Sequence, residues 1–153
     1  MPGSHDDGDL RALFRRHIKG HWQRVDGIPG VPDTNYCIDG TEGWIEFKAT
    51  RYNAVKFRST QPSWLMRRSA AGGRGWVAIR RWRLLIKRPI DQLWMVPGHL
   101  AVDLSRHGLP MGTLVGENGP DRWNWALVRS LLISVMSPVS TSDQPQPLPA
   151  VTH

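Results

Sequence analysis

Apolar and polar positions along the chain follow two different periods, and each period predicts a different kind of element. In residues 7–19, apolar side chains recur at helical spacing, which predicts an amphipathic helix that Gly20 ends. Residues 34–39 and 43–50 instead have the composition and alternation of strands. The Asp-Gly pair within residues 39–42 indicates that a hairpin with extra loop residues joins these two strands.

The second half of the pattern predicts a further helix followed by strands. Ser59 or Thr60 can cap a helix whose first turn contains a proline, and Gly72-Gly73 ends it. The elements predicted after this helix are one or two strands at 76–87, a strand at 93–96, a short helix at 97–107 and a helix at 121–136 that Asp121 caps. This order of helices and strands predicts a mixed α/β domain.

Length and composition set the domain organisation and exclude several classes of protein. The chain has 153 residues, which suits a single domain at residues 1–136. Residues 137–153 are rich in Pro, Ser and Gln and are predicted to be a disordered tail. Cys37 is the sole cysteine, so an internal disulfide and a thiolate zinc site are excluded, and a reducing cytoplasm is expected. The N-terminus is acidic and unlike a signal peptide, and no apolar run reaches the ~18 residues that span a bilayer, so no membrane partner is expected.

Charge is distributed unevenly along the chain. The 20 Lys and Arg exceed the 13 Asp and Glu and give a formal charge of +7. Eleven of these basic residues fall between Ala49 and Ile90, where no acidic residue occurs. A segregated basic tract of this kind predicts contacts with a phosphate backbone, although a solvated basic face is the ordinary alternative. The residues predicted to bind DNA are Lys56, Arg58, Arg67, Arg68 and Arg74.

One strand of the predicted hairpin carries candidate catalytic chemistry. Side chains of a strand alternate between faces, so Trp44, Glu46 and Lys48 point to one side, whereas the intervening residues are apolar and point to a core. Asp33 opens the neighbouring strand and can lie across from this acidic and basic face. Two carboxylates can hold Mg²⁺, and a nearby lysine can stabilise negative charge on a phosphate. An isolated Glu-x-Lys pair is nevertheless common by chance and usually faces solvent.

The wider pattern resembles a known group of nucleases. Pro32-Asp33, a strand, a turn and then Glu46-Phe47-Lys48 resemble the defining motif of the PD-(D/E)xK nuclease superfamily. The next segment, in which Gln61 opens a helix and Gly72-Gly73 precede a strand, is similar to archaeal-type Holliday junction resolvases and related phage endonucleases. The resemblance covers roughly residues 22–82 and implies a restriction-endonuclease-like αβββαβ core, with a mixed central sheet flanked by helices.

The resemblance also implies roles for individual residues. Asp33 and Glu46 are the expected metal ligands for Mg²⁺, for which Mn²⁺ is a possible substitute, and Lys48 and Gln61 complete the catalytic set. Gln61 could instead be an ordinary residue of the first helical turn. The superfamily often has a further acid, commonly Glu, on or just after its first helix. The best match is Asp26, which departs from this pattern in residue type and lies in an apparent loop.

The expected activity is therefore Mg²⁺-dependent hydrolysis of DNA phosphodiester bonds, with a preference for branched or junction DNA. A homodimer is expected, because a symmetric four-way junction requires two cuts and the helix at 121–136 has a broad apolar face. The expected location is the cytoplasm, that of a host if the protein is phage-encoded. Two alternatives stay open: a nickase or restriction-type nuclease of the same fold, and a basic nucleic-acid-binding module whose carboxylates are structural.

Overall fold

The computed structural model describes residues 7–134, so the predicted tail at 137–153 lies outside the described residues. The helices of this range are α1 Asp7–His17, α2 Gln61–Ala70, α3 Ala101–His107 and α4 Trp125–Ile133. The strands are β1 His21–Arg24, β2 Thr34–Ile38, β3 Thr41–Thr50, β4 Gly75–Arg83, β5 Ile90–Pro97 and β6 Thr113–Gly116. Short 3-10 turns occur at Gly98–Leu100, Leu109–Met111 and Pro120–Arg122.

The six strands form one mixed sheet in which neighbours follow chain order from β1 to β6. β3 and β4 run parallel, whereas the other neighbouring pairs run antiparallel. A parallel pair requires a crossover connection, and the segment containing α2 provides it. The predicted α/β class is therefore confirmed, with a mixed sheet that helices flank.

The hairpin between β2 and β3 is tighter than predicted. Asp39 and Gly40 have positive φ angles of 48° and 80°, and these two residues alone form the turn. Positive φ at both central positions suits the right-handed twist of the flanking strands, and an Asp-Gly pair tolerates it. The expectation of extra loop residues was wrong, because Thr41 and Glu42 already pair with β2.

Both faces of the sheet are covered, and the alternation of β3 decides which side chains each face receives. Ile45 and Phe47 are buried in a core formed with α1 and α4, as the period-two pattern predicts. On the opposite face, Val77 and Ile79 of β4 pack with Leu65 of α2 and with α3. Glu46 and Lys48 of β3 belong to this second face, beneath the helix layer of α2.

The last helix begins later than predicted. α4 starts at Trp125, and its cap is Asn124, whose Oδ1 accepts a hydrogen bond from the backbone N–H of Leu127 at 3.0 Å. Asp121 lies instead in a 3-10 turn. Trp123 interrupts the helix with extended backbone because its side chain is buried and its Nε1 donates to the carbonyl of Asp91. The predicted end of this helix, at residues 135 and 136, lies outside the described residues.

Most of the broad apolar face of α4 is covered by the chain itself. Val128 and Leu132 are fully buried in the core shared with α1. The phenolic hydroxyl of Tyr36 in β2 also donates a 2.7 Å hydrogen bond to the carbonyl of Leu132. Leu127 is 38% exposed and is the large apolar residue of α4 that remains at the surface.

The sequence pattern also missed one element and placed another correctly. The edge strand β6 was not predicted, since four residues with one buried side chain carry too little periodicity. The helix predicted at 97–107 is present as a 3-10 turn continuing into α3, and it ends at Gly108 with φ of 78°. Among residues 7–134, no helix is long and apolar enough to cross a membrane.

Candidate active site

The two predicted carboxylates meet where β2 begins beside the middle of β3. The ladder pairs Thr34 with Ile45, so Asp33, one residue earlier, lies next to Glu46. The backbone N–H of Asp33 donates a 3.0 Å hydrogen bond to Oε2 of Glu46. The tight hairpin thus brings together two carboxylates that are 13 residues apart in the chain.

Lys48 and Gln61 complete a closed set of contacts around Glu46. Nζ of Lys48 lies 3.4 Å from Oε1 of Glu46 and donates to Oε1 of Gln61 at 3.0 Å. Nε2 of Gln61 donates to Oε1 of Glu46 at 2.9 Å. The structure therefore unites Asp33, Glu46, Lys48 and Gln61, which we call the carboxylate cluster.

Gln61 is held in place by the start of α2. It is the first residue of that helix, and its side chain is buried against the sheet. Its Oε1 accepts a second hydrogen bond, of 3.0 Å, from the backbone N–H of Arg58. The amide thus links the helix start to both charged groups of β3, which is more than an ordinary first-turn residue does.

Two residues of the site were not found from the sequence. Arg11 of α1 places Nη2 3.2 Å from Oδ2 of Asp33, and its Nε donates to Oγ1 of Thr34, which in turn donates to Oδ1 of Asp33. The ring of Phe57 lies 5.0 Å from Nζ of Lys48. Helical periodicity identifies the apolar face of α1 but not which strand its polar flank meets, so Arg11 gave no signal. Phe57 stands within the basic tract, and that position is the one signal that could have indicated it.

Glu46 has unusual electrostatics. Burial raises the pKa of its carboxyl group from the ordinary 4.5 to about 7, and repulsion from Asp33 adds to this rise. The charge of Lys48 and the hydrogen bond from Asp33 oppose it. A buried carboxylate beside a second carboxylate has a strong electrostatic reason to bind a cation or a proton.

The donor set fits a hard divalent cation. Mg²⁺ is commonly bound through one or two protein carboxylates, with water and substrate phosphate as the remaining ligands. Asp33 and Glu46 supply two such groups from adjacent strands. The described part of the chain contains no group of three or more His, Cys, Asp or Glu side chains placed to hold a metal. The cluster thus suits an ion that depends on its substrate for part of its coordination.

Asp26 does not join the carboxylate cluster in the structure. Its Oδ1 accepts a 3.1 Å hydrogen bond from Nε of Arg24, and both side chains are exposed. The physical reason is strand pairing: the backbone N–H of Val25 donates to the carbonyl of Asp33. This bond places Val25 beside Asp33 and leaves Asp26 beyond the end of β1, in solvent.

The predicted DNA-binding residues differ in their surroundings. Lys56, Arg58 and Arg67 are exposed. Arg68 is also exposed, with its guanidinium 4.6 Å from the ring of Trp64. Arg74 is half-buried, and its Nε donates to the carbonyl of Ser134, so it has a structural contact as well as a charge. Four of the five are therefore free to meet a polyanion at the surface.

Comparison with known proteins adds no relative: no family model matches the chain, and no curated protein matches it. Arguments about its function therefore stand on the geometry and electrostatics of the carboxylate cluster and on the basic tract.

Proposed function

We propose that this protein is a Mg²⁺-dependent endodeoxyribonuclease of the PD-(D/E)xK superfamily. The observation that carries the proposal is the contact set of Asp33, Glu46, Lys48 and Gln61, in which two carboxylates and an ammonium converge. These are the residues that the motif resemblance selects. The order α1-β1-β2-β3-α2-β4 is also the order that a restriction-endonuclease-like αβββαβ core requires.

Each residue of the cluster has a distinct role in this proposal. Asp33 and Glu46 would hold Mg²⁺, or Mn²⁺ in its place. The bound cation supplies Lewis-acid polarisation of the scissile phosphate and an acidified water. Lys48 would stabilise negative charge developing on the phosphate, and Gln61 would orient both Lys48 and Glu46. Arg11 would hold the Asp33 carboxylate in position from the opposite side.

The proposed substrate is DNA, with branched or four-way junction DNA favoured over continuous duplex. The test compares a four-way junction, a duplex and a single strand, each incubated with Mg²⁺ or with EDTA. Cutting that requires Mg²⁺ and ranks the junction first supports the proposal. Preferential cutting or nicking of duplex DNA would instead identify a restriction-type nuclease or a nickase of the same fold.

A non-catalytic nucleic-acid-binding module is the second candidate, and one observation favours it. Each carboxylate already faces a cation within the chain, because Asp33 pairs with Arg11 and Glu46 pairs with Lys48. Such pairing would be sufficient for purely structural carboxylates. DNA binding without any Mg²⁺-dependent cutting of the three substrates would decide for this module.

Removing the amide of Gln61 tests its positioning role. We expect Gln61→Leu to lower cleavage about 10- to 100-fold, the usual cost of losing a group that orients a metal ligand. Raising the Mg²⁺ concentration should recover part of the loss, because Glu46 then binds the cation less tightly. Gln23→Leu, at an exposed position of β1, is the matched control and should cut normally. Equal cleavage by both variants would show that Gln61 has no part in positioning.

Neutralising the exposed cations tests the basic tract. We expect Lys56→Gln, Arg58→Gln, Arg67→Gln and Arg68→Gln together to weaken DNA binding at least about tenfold, and to reduce the slope of log K against log[salt] by up to about 3. The loss should be similar for different DNA sequences, since phosphate contacts carry no sequence information.

The matched control for the basic tract is the pair Arg15→Gln and Arg16→Gln. Both residues are exposed on α1, which packs on the opposite face of the sheet from α2. Binding by this control should change much less than binding by the fourfold variant. An unchanged affinity and salt slope in the fourfold variant would place the DNA track elsewhere.

A homodimer in the cytoplasm remains part of the proposal, since two sites would cut the two strands of a symmetric junction. Leu127, the exposed apolar residue of α4, is the candidate contact. We expect the protein to sediment as a dimer at tens of micromolar, and Leu127→Arg to give monomers. Leu114→Arg, at a residue of similar exposure on β6, should remain dimeric. A wild-type monomer would remove the dimer from the proposal.

A further inference from the structure

The connection between β4 and β5 exposes an unusual amount of apolar surface. Leu84, Leu85 and Ile86 lie together there, with exposed fractions of 50%, 100% and 36%. Single exposed apolar residues are common, but three adjacent ones at a loop tip form a patch that favours a binding role. This tip, residues 84–86, lies on the opposite side of the β4–β5 ladder end from the core.

The tip is surrounded by cations and by no acid. The basic residues nearest to it in the ladder and in the neighbouring loop are Arg51, Arg81, Arg83, Lys87 and Arg88. Within residues 7–134, none of these five forms an ion pair with a carboxylate. An apolar tip bordered by unpaired cations is complementary to a ligand that offers both a phosphate backbone and flat apolar surfaces.

A groove beside the tip has the chemistry for such a ligand. It has a volume of about 370 Å³ and is lined by the tip together with Arg51, Tyr52, Trp82 and Arg83. The ring of Tyr52 is 61% exposed, and the guanidinium of Arg83 lies 5.1 Å from its centre. Aromatic rings and guanidinium planes stack on nucleobases of any identity.

The ladder carries the tip rigidly and directs its cations toward the carboxylate cluster. Arg80 and Asp91 form a two-fold hydrogen-bonded pair, with both distances 2.8 Å, across the base of the β4–β5 hairpin. The pairing of Thr50 with Arg81 puts Arg81 on the face of Lys48, and Arg83 follows two residues later on that face.

The spacing along β4 matches the reach of a short length of DNA. Lys48 pairs with Ile79, and Leu84 follows five residues further along the chain. At the rise of a strand this is about 17 Å, or about five base pairs of B-form DNA. A duplex arm bound at the carboxylate cluster would therefore extend to the tip.

We propose that residues 84–86 are a wedge that contacts unstacked bases where a DNA duplex branches or opens. The flanking cations would hold the phosphates on either side, and Tyr52 would offer a ring for a displaced base. Apolar side chains of other DNA-binding proteins insert between base steps in this way, and unstacking costs least where pairing is already interrupted. The inference rests on the proposed nuclease function and deepens it, because it names the element that distinguishes branched DNA from continuous duplex.

Two other occupants fit less well. A second copy of the chain meeting this surface in an isologous contact would bring the five cations against their own counterparts. An anionic membrane would suit the charge and the apolar tip, but it leaves unexplained a base-sized groove with an aromatic wall on the face of the carboxylate cluster. Both occupants are outcomes of the experiment below.

The test is the combined variant Leu84→Ser, Leu85→Ser and Ile86→Ser, with Ile28→Ser as the control at a similarly exposed apolar residue. The probes are a four-way junction carrying 2-aminopurine beside the branch point and a continuous duplex of the same sequence. Binding is measured in EDTA, so that no cutting occurs. A thermal melt verifies that each variant is folded, which exposed positions should permit.

The wild-type protein should bind the junction at least about tenfold more tightly than the duplex, which corresponds to stacking one base on the protein. It should also increase 2-aminopurine fluorescence, because the base beside the branch loses its stacked neighbour. The tip variant should lose this increase and most of the junction preference, while its duplex affinity stays within about threefold. The Ile28→Ser control should behave as the wild type.

The remaining results separate failure of the wedge from failure of the proposed function. A wild-type protein that cuts junctions with Mg²⁺, beside a tip variant that keeps the preference and the fluorescence increase, overturns the wedge alone. Absence of any DNA binding by the wild type overturns the nuclease proposal and the wedge together. Loss of a dimer in the tip variant, or tip-dependent binding to phosphatidylserine vesicles, with junction recognition unchanged, assigns the tip to one of the other occupants and overturns the wedge.

Discussion

We expect Glu46→Gln to lower Mg²⁺-dependent DNA cleavage by at least about a thousandfold, because it removes the charge of a central metal ligand. DNA binding should stay within about threefold, since phosphate contacts come from the basic tract rather than from the carboxylates. Asp33→Asn should have a comparable effect, and Lys48→Ala should also inactivate the protein through loss of charge stabilisation on the phosphate.

The control for this prediction is Glu42→Gln. Glu42 lies on the same strand, four residues before Glu46, but it is exposed and its carboxylate lies outside the cluster. Glu42→Gln should therefore cut DNA normally. Near-normal cutting by any of the three cluster variants, with a normal thermal melt, would show that the assignment of the site is wrong.

We expect the stability of the metal-free protein to fall as the pH rises from about 5 to about 8, with Glu46 as a main cause. Its carboxyl group has a pKa of about 7 in the folded protein against 4.5 ordinarily. Between these values the folded chain binds a proton that the unfolded chain does not, so raising the pH favours unfolding. The loss from this group begins above its unfolded pKa and is complete above pH 7. Its size is on the order of 3 kcal/mol, at 1.36 kcal/mol for each unit of pKa difference.

Urea unfolding between pH 5 and pH 8, in EDTA, measures this loss. Histidines titrate in the same range, so the informative quantity is the difference between the wild type and Glu46→Gln, which lacks the carboxyl group. The wild type should lose more stability than Glu46→Gln across the interval, and Glu42→Gln should follow the wild type. Mg²⁺ at pH 8 should restore stability to the wild type and not to Glu46→Gln. Parallel curves for these two proteins would contradict the pKa and its cause.

The sequence by itself determined the local features of this protein. The alternation of β3 assigned Ile45 and Phe47 to a core and left Glu46 and Lys48 together on the other face, because successive side chains of a strand point to opposite sides. Helical spacing placed α1 and α2, and the Asp-Gly pair placed the hairpin. The segregation of charge between residues 49 and 90 is likewise a property of the sequence alone.

The motif resemblance added Asp33 and Gln61 as expectations, and only the tertiary structure decided their contacts. A two-residue turn fixed the register that puts Asp33 beside Glu46. A crossover between parallel strands then brought Gln61 within 2.9 Å of the same carboxylate. Local periodicity reports which face a side chain occupies, but not which element covers that face.

The same distinction explains what the sequence did not provide. The salt bridge between Arg11 and Asp33 depends on how α1 packs across β2, and the late start of α4 depends on the burial of Trp123. Asp26 resembled a third acid in the linear motif, yet pairing of Val25 with Asp33 leaves it in solvent beside Arg24. Each of these outcomes is set by contacts between residues distant in the chain or by strand register, and neither leaves a periodic trace in the sequence.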